Sequence, residues 1–256
     1  KLRAWPPGSR RMSAHALPEI IAHRGNAGDY PENTLQALAS AVELGLRHVE
    51  FDVQLTSDHV PVVFHDSTLE RVADRPDSVH DLTWGQLSEI PVGEVGRFGR
   101  RFAFTYPPSL AQTVDALAGW NDVTAFVEIK RASLRRVGRE LVLRRVADIV
   151  RPILDRCVFI SFDLPTVKIL RMMTGARIGW VLQEYSEATL QEARALAPDY
   201  LFCNLERVPA DATQLWRGDW RWAIYEVRDL ATAQRCQALG AAFVETMDVK
   251  GLLAAY

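Results

Sequence analysis

Residues 21–66 decide the fold, and they read IAHRGNAGDYPENTLQALASAVELGLRHVEFDVQLTSDHVPVVFHD. Two histidines, His23 and His65, each end a short apolar run in this stretch. Between them, Glu50 and Asp52 stand at i and i+2 of a strand-like run, so both side chains point to one face. This combination predicts a site that cleaves phosphate esters: two titratable imidazoles, a carboxylate pair for a hard cation and the arginine after the first histidine.

Along the whole chain, eight β runs alternate with helices. They are 19–23, 47–53, 123–129, 157–162, 177–182, 200–204, 221–226 and 242–246. This alternation predicts a (β/α)₈ TIM barrel, which typically takes about 250 residues. Catalytic groups of such barrels lie at the C-terminal ends of the strands. The chemically useful side chains that fall there are His23, Glu50, Asp52 and Glu128, with Lys130 just beyond.

One further β run, Val60–His65, is expected to lie outside the barrel. The polar turn Thr56–His59 before it is too short for a parallel crossover, which needs about a dozen residues. The run should therefore pair antiparallel with Arg47–Val53, in a hairpin that returns His65 towards the carboxylate pair.

A single domain is expected over residues 19–256, with an insertion at about 54–107 after the second strand. The part from 67 to 107 is rich in glycine, proline and arginine and contains one short helix. Residues 1–18 are expected to be a tail, disordered or derived from an expression vector, because Met12 would make a natural start.

The helix boundaries follow from capping residues and apolar periodicity. Asn33 is predicted to be the N-cap of the first helix, because Gln36 stands three residues on, as in a capping box. Further on, one continuous helix is expected over 134–150 and a short one near 211–217.

The composition argues against nucleic-acid and membrane partners. The net charge of −2 gives no basic field. No apolar run approaches the roughly 20 residues of a membrane span, and no signal-peptide pattern opens the chain. The three cysteines are expected to be buried free thiols, which fits a reducing cytoplasm and predicts a cytoplasmic location: Cys157, Cys203 and Cys236.

An ordered set of motifs resembles the glycerophosphodiester phosphodiesterase family, and in particular its compact cytosolic bacterial members. The motifs are His23-Arg24-Gly25, Pro31-Glu32-Asn33-Thr34, Glu50-Phe51-Asp52-Val53, Thr56 with Asp58, Phe64-His65-Asp66 and Glu128-Ile129-Lys130. The resemblance implies a (β/α)₈ barrel that hydrolyses a small-molecule glycerophosphodiester to sn-glycerol 3-phosphate and an alcohol, using a divalent cation.

The resemblance also implies a role for each candidate residue. The acid–base pair is His23 and His65, the metal ligands are Glu50, Asp52 and Glu128, and the phosphate contacts are Arg24 and Lys130. Glu32 is similar to a family carboxylate near the site and is a candidate substrate contact, and Tyr225 is the best aromatic candidate for the substrate pocket. Three carboxylates suit Mg²⁺ or Ca²⁺ better than Zn²⁺.

Two strand ends depart from the family pattern. The seventh reads Tyr225-Glu226-Val227-Arg228 where members often have a Trp-Thr-Val-Asn-like run. The eighth reads Thr246-Met247 where Thr-Asp is common. Both departures fall on the substrate side of the site, so they bear on the pocket rather than on the histidines.

Several alternatives stay open. The same scaffold serves a lysophospholipase D or a sphingomyelinase D-like enzyme if an apolar rim surrounds the site. Aromatic residues interleaved with arginines occur in residues 67–107, here called the excursion. A catalytically dead barrel acting as a binding module is disfavoured by the histidines and carboxylates. The nucleophile is water or a neighbouring substrate hydroxyl that gives a cyclic phosphate. The oligomeric state is open too.

Overall fold

A closed barrel of eight parallel strands forms the centre of the protein, for which a computed structural model describes residues 16–256. The strands are β1 (Glu19–Ala22), β2 (His48–Leu55), β3 (Pro61–Val63), β4 (Thr124–Ile129), β5 (Cys157–Ser161), β6 (Arg177–Val181), β7 (Tyr200–Asn204), β8 (Arg221–Tyr225) and β9 (Phe243–Thr246). All except β3 form the barrel, which closes because β1 pairs in parallel with both β2 and β9. The predicted (β/α)₈ barrel is confirmed. Most of the predicted tail lies outside the described residues.

Helices surround the barrel. They are α1 (Leu35–Glu43), α2 (Glu70–Ala73), α3 (Trp84–Leu87), α4 (Val95–Phe98), α5 (Leu110–Ala118), α6 (Arg131–Val137), α7 (Arg139–Val150), α8 (Leu164–Thr174), α9 (Glu187–Leu196), α10 (Leu230–Leu239) and α11 (Val249–Ala255), with 3₁₀ turns at Arg151–Arg156 and Leu205–Arg207. Within residues 16–256, no helix has the length and apolar character needed to cross a bilayer.

An aromatic layer fills the barrel interior below the strand ends. Phe126, Phe202 and Phe243 are almost fully buried there, and their rings meet edge to face. Side chains two residues further along a strand point the same way, so Phe126 on β4 lies directly below Glu128, and Phe243 on β9 lies below Glu245. This apolar floor closes the barrel beneath the acidic groups.

The predicted hairpin is confirmed. Strand β3 pairs antiparallel with β2, with Val53 opposite Val63 and Leu55 opposite Pro61. The pairing uses the last residues of β2, which continues beyond the predicted end at Val53. The side-chain amide of Gln54 then donates to the backbone carbonyl of His65 at 3.0 Å, and this contact holds the returning segment over the barrel mouth.

The segment between β3 and α5 has a small apolar core of its own. It contains three short helices, α2, α3 and α4, where the sequence indicated one. Buried side chains of β3, of α2 and α3 and of the loops between them form one cluster: Val62, Phe64, Leu69, Val72, Val79, Leu87, Ile90 and Val92. The excursion is therefore an ordered cover on one side of the mouth.

Two predicted helices differ from the structure. The helix expected over 134–150 is divided into α6 and α7, because Gly138 between them has φ = +97°, outside the helical region. Residues 211–217 form a loop instead of a helix. The ring of Trp216 stacks on Tyr185 at 3.8 Å, and its carbonyl accepts a hydrogen bond from the indole of Trp222. These contacts hold the segment in a non-helical conformation.

A tight turn after β1 depends on Gly25. This residue has φ = +79°, and a Cβ added there would lie 2.5 Å from the backbone carbonyl carbon of Ala37 in α1. We expect Gly25→Ala to lower the free energy of unfolding by about 2–5 kcal/mol, which combines left-handed strain with the overlap. Urea titration followed by circular dichroism measures this loss.

The matched control is Gly45→Ala. Gly45 also has positive φ, +91°, but a Cβ there would have nothing within 4 Å. Only the conformational cost of about 1–2 kcal/mol is then expected. Equal losses in the two variants would show that close packing on α1 does not require Gly25.

Candidate active site

One cavity at the C-terminal ends of the barrel strands collects most of the predicted residues. Its lining consists of His23, Arg24, Glu50, His65, Glu128, Lys130, Ile160, Phe162, Val181, Phe202, Tyr225 and Glu245. One wall is polar and charged, and the opposite wall is apolar and aromatic. The structure thus brings the sequence-predicted histidines, cations and Tyr225 together. The other two predicted residues, Asp52 and Glu32, lie beside the cavity rather than in its lining.

Three buried carboxylates converge at this cavity, two of them in its lining. Asp52 and Glu128 are opposite each other on the paired strands β2 and β4, and Glu50 lies two residues before Asp52. Each offers an oxygen within 4.8 Å of the others. Oε1 of Glu50 is buried without a hydrogen-bond partner. Such an all-oxygen set with an unused buried oxygen fits a hard divalent cation such as Mg²⁺ or Ca²⁺.

Two side-chain cations share these carboxylates. Nζ of Lys130 lies 3.1 Å from Oδ1 of Asp52 and 3.0 Å from Oε1 of Glu128. Nε of Arg24 lies 3.3 Å from Oδ2 of Asp52. Burial by itself would raise the pKa of Asp52, but Lys130 and Arg24 hold it below its ordinary value. Burial and the charge of Asp52 instead raise the pKa of Glu50 well above the usual range.

The helix-cap prediction at Asn33 is wrong, for a reason that concerns the site. Thr34 is the N-cap of α1, and its side chain accepts a hydrogen bond from the backbone N–H of Ala37. Asn33 has φ = +57° and directs its amide to Asp52, donating to Oδ2 at 2.8 Å and accepting from the backbone N–H at 3.1 Å. Asn33 therefore fixes the orientation of a predicted metal ligand.

His23 is oriented by a carboxylate from the other end of the chain. Its Nδ1 contacts Oε1 of Glu226, which assigns the Nδ1 proton to that hydrogen bond and turns Nε2 towards Glu50. Burial would lower the pKa of His23, but the charge of Glu245 and the hydrogen bond to Glu226 raise it above its ordinary value. The imidazole can therefore carry a proton inside the cavity.

His65 has a similar arrangement. Its Nδ1 contacts Oδ1 of Asp66 at 2.5 Å, and Nε of Arg71 donates to the other oxygen of Asp66 at 2.7 Å. The hydrogen bond from His65 lowers the pKa of Asp66, so the aspartate is charged at neutral pH. Each histidine of the pair thus has a carboxylate on Nδ1, which leaves Nε2 for chemistry in the cavity.

Glu32 connects two guanidinium groups. Its carboxylate accepts from Nη1 of Arg24 at 3.0 Å and from Nη1 and Nη2 of Arg71 at 2.7 and 2.6 Å. The predicted substrate contact of Glu32 stays a prediction, and these contacts favour a role in orienting Arg24. Because Arg71 also binds Asp66, one chain of ion pairs links the supports of Arg24 and His65.

Sequence reasoning missed three residues of the site: Arg71, Glu226 as the partner of His23, and Glu245. Glu245 lies opposite Ile21 on the closing strand pair and is 3% exposed. Burial raises its pKa to about 7. An acid inside the apolar run of β9 was a usable signal, because a glutamate is rarely buried without a reason.

Known proteins share this fold and sequence pattern. The model of the glycerophosphoryl diester phosphodiesterase family matches residues 23–213, about three quarters of the chain. The chain belongs to this family. A glycerophosphodiester phosphodiesterase of Caldanaerobacter subterraneus is 31% identical over 188 residues, which cover 71% of this chain and 75% of the relative. Membership confirms the prediction that the protein is a phosphodiesterase enzyme.

A mammalian relative matches a shorter part of the chain. Mouse glycerophosphodiester phosphodiesterase 1 is 37% identical over 129 residues, or 49% of this chain and 39% of the mouse protein. The chain therefore spans well under half of that relative, so the likeness concerns the shared barrel segment.

Solved structures agree on the barrel. An Oleispira antarctica phosphodiesterase in complex with the product sn-glycerol-3-phosphate superposes with a TM-score of 0.80 at 22% identity, covering 93% of this chain and 96% of that one. A glycerophosphodiester phosphodiesterase of Parabacteroides distasonis gives a TM-score of 0.74 at 22% identity, covering 91% and 93%. At this identity the superpositions establish the fold.

Proposed function

We propose that the protein hydrolyses glycerophosphodiesters to sn-glycerol 3-phosphate and an alcohol, with a divalent cation and an acid–base pair of histidines. The observation that carries the proposal is the pair His23 and His65. Both face one cavity beside the three-carboxylate cluster, and each has a carboxylate on its Nδ1. The product named in the Oleispira antarctica complex supports the substrate class.

In this proposal the cationic side chains bind the phosphodiester and the histidines move protons. Arg24 and Lys130 line the cavity and attract the anionic phosphoryl group. One histidine accepts the proton of the nucleophile, which is water or a neighbouring substrate hydroxyl, and the other protonates the departing alkoxide. A Mg²⁺ or Ca²⁺ ion on Glu50, Asp52 and Glu128 would supply Lewis-acid polarisation of a phosphoryl oxygen when bound.

The direct test is release of sn-glycerol 3-phosphate from glycerophosphocholine, with and without EDTA. We expect release that stops with the chelator and returns with excess Mg²⁺ or Ca²⁺. If sn-glycerol 3-phosphate is not released from glycerophosphocholine, glycerophosphoethanolamine or glycerophosphoglycerol, the proposed reaction is wrong.

A second candidate, a lysophospholipase D or sphingomyelinase D-like activity, is favoured by one feature of the excursion. Phe104 is 86% exposed, Val95 60% and Tyr106 43%. Such side chains beside the barrel can contact acyl chains or a lipid surface. Lysophosphatidylcholine separates the two functions, because a lysophospholipase D would release choline and leave lysophosphatidic acid.

The cavity also predicts a preference for cationic head groups. At the end of the seventh barrel strand, Tyr225 lines the cavity, whereas its neighbour Glu226 binds His23. A cation over the Tyr225 ring gains about 0.5–2 kcal/mol. We therefore expect kcat/KM for glycerophosphocholine to exceed that for glycerophosphoglycerol, and Tyr225→Ala to lower the former by roughly 2- to 30-fold.

The neutral substrate provides the control for this prediction. Tyr225→Ala should change kcat/KM for glycerophosphoglycerol much less, because that alcohol has no charge to interact with the ring. An equal loss on both substrates would mean that Tyr225 packs in the pocket without selecting the head group.

A further inference from the structure

The inner end of the cavity contains carboxylate oxygens that nothing in the described part of the chain binds. Glu50 is 1% exposed and Glu245 is 3% exposed. Oε1 of each is buried without a hydrogen-bond partner in residues 16–256. Both side chains line the cavity. A buried carboxylate oxygen left unpaired is costly, so two of them side by side call for a ligand.

The nearby cations are committed elsewhere. Lys130 pairs with Asp52 and Glu128, and the guanidinium of Arg24 pairs with Asp52 and Glu32. Within residues 16–256 Glu245 takes part in no ion pair. Its free carboxylate oxygen is therefore available to whatever occupies the cavity.

His23 completes a set of three ligand atoms. One ring nitrogen of His23 and one oxygen each of Glu50 and Glu245 all lie within 4.8 Å of one another. Nε2 of His23 is 3.9 Å from Oε2 of Glu50. This is too long for a hydrogen bond, but it is within the roughly 4.2 Å that two ligands on opposite sides of one small cation can span.

The hydrogen-bond partner of His23 also supports a metal-binding role. A histidine that binds a metal ion nearly always donates its other ring N–H to a carboxylate or carbonyl, which fixes the tautomer and raises the basicity of the ligating nitrogen. Glu226 occupies that position on Nδ1 of His23.

We propose that His23, Glu50 and Glu245 form a second cation site, adjacent to the three-carboxylate site and sharing Glu50 with it. An imidazole nitrogen with two carboxylates suits Mn²⁺ or Zn²⁺ better than Ca²⁺ or Mg²⁺. Two cations that share a carboxylate lie about 3.5–4 Å apart in known two-metal sites. This site goes beyond the proposed function, which uses one cation.

Filling the second site has a consequence for turnover, and this consequence rests on the proposed function. When Nε2 of His23 is a ligand, it cannot accept or give a proton. Zn²⁺ added to the Mg²⁺- or Ca²⁺-supported enzyme should therefore inhibit. Glu245→Gln should raise the Zn²⁺ concentration needed for half-inhibition by at least roughly 10-fold, because it replaces a carboxylate ligand by a neutral amide and even an outer-shell partner is worth about 10- to 100-fold in affinity.

The deciding experiment is metal stoichiometry, which does not depend on activity. The full chain is dialysed against Mn²⁺, and bound metal is measured by elemental analysis. We expect two ions per chain for the wild type and one each for Glu245→Gln and Asp52→Asn. The matched control, Glu140→Gln on the exposed face of α7, should retain two. One ion in the wild type, or two in Glu245→Gln, would overturn the proposal.

A spectroscopic measurement on the wild type covers the case in which Glu245→Gln does not fold. Two Mn²⁺ ions that share Glu50 are magnetically coupled, so the electron paramagnetic resonance signal of isolated Mn²⁺ should weaken as the second equivalent binds. Glu226→Gln keeps an acceptor for Nδ1 but loses the charge. It should lower the affinity for the second Mn²⁺ ion by about 10- to 100-fold. A signal that grows in proportion to both equivalents would contradict a shared ligand.

Discussion

His23→Ala and His65→Ala should each lower kcat by about 10²-fold or more. A positioned proton donor or acceptor typically contributes a factor of 10²–10⁴ to the rate. Both imidazoles line the cavity, and each has its Nδ1 occupied by a carboxylate, Glu226 or Asp66. The loss should fall on kcat more than on KM, since the phosphate contacts assigned to Arg24 and Lys130 remain. Steady-state kinetics with glycerophosphocholine measures both parameters.

His48→Gln is the matched control for the histidine variants. His48 begins β2 at the opposite end of the barrel, where its Nε2 contacts Glu19 at 2.8 Å. This end of a (β/α)₈ barrel contributes to stability rather than to catalysis. We expect kcat to be close to that of the wild type, with any effect confined to Tm. Near-normal turnover of a folded His23→Ala or His65→Ala enzyme would disprove the acid–base assignment.

Removing the divalent cation should lower turnover by at least about 10³-fold. Lewis-acid stabilisation of the transition state is worth several kcal/mol, and each 1.36 kcal/mol is a factor of ten in rate. Glu50, Asp52 and Glu128 are buried and offer oxygens within 4.8 Å of one another. EDTA should inactivate the enzyme, and Mg²⁺ or Ca²⁺ should restore it. Asp52→Asn should show a similar loss that added metal does not reverse.

The control for Asp52→Asn is the same substitution at Asp122. Asp122 is exposed and pairs with Arg47 at 2.8 Å on the surface, so Asp122→Asn should leave kcat unchanged. Full activity after exhaustive chelation, verified by elemental analysis, would show that the carboxylate cluster is structural. In that case the carboxylates would serve to form ion pairs with Lys130 and Arg24, and they would not be a metal site.

The sequence by itself determined the barrel and the place of the candidate site within it. Strand and helix periodicities are local properties of the chain, and eight alternations leave few ways to bury the apolar faces. The short Thr56–His59 turn likewise dictates antiparallel pairing of β3, because no crossover fits into it. Glu50 and Asp52 are two residues apart on one strand, so their common face was predictable from spacing.

Other local signals were overridden by contacts with distant residues. Asn33 has the chemistry of an N-cap, but Asp52 offers its amide a buried charged partner, and Thr34 takes the cap. The segment 211–217 has helical composition, but packing of Trp216 on Tyr185 holds it as a loop. In both cases tertiary contacts outweighed a preference worth only about 1 kcal/mol.

Only the tertiary structure decided which groups complete the cavity. Glu226 meets His23 across 203 positions of sequence, and Glu245 comes beside them because β9 pairs with β1 to close the barrel. No local spacing carries this information, since the juxtaposition exists only once the last strand has met the first. Burial above the aromatic floor then raises the pKa of Glu245 to about 7, because a pKa follows the surroundings of a group rather than its neighbours in sequence.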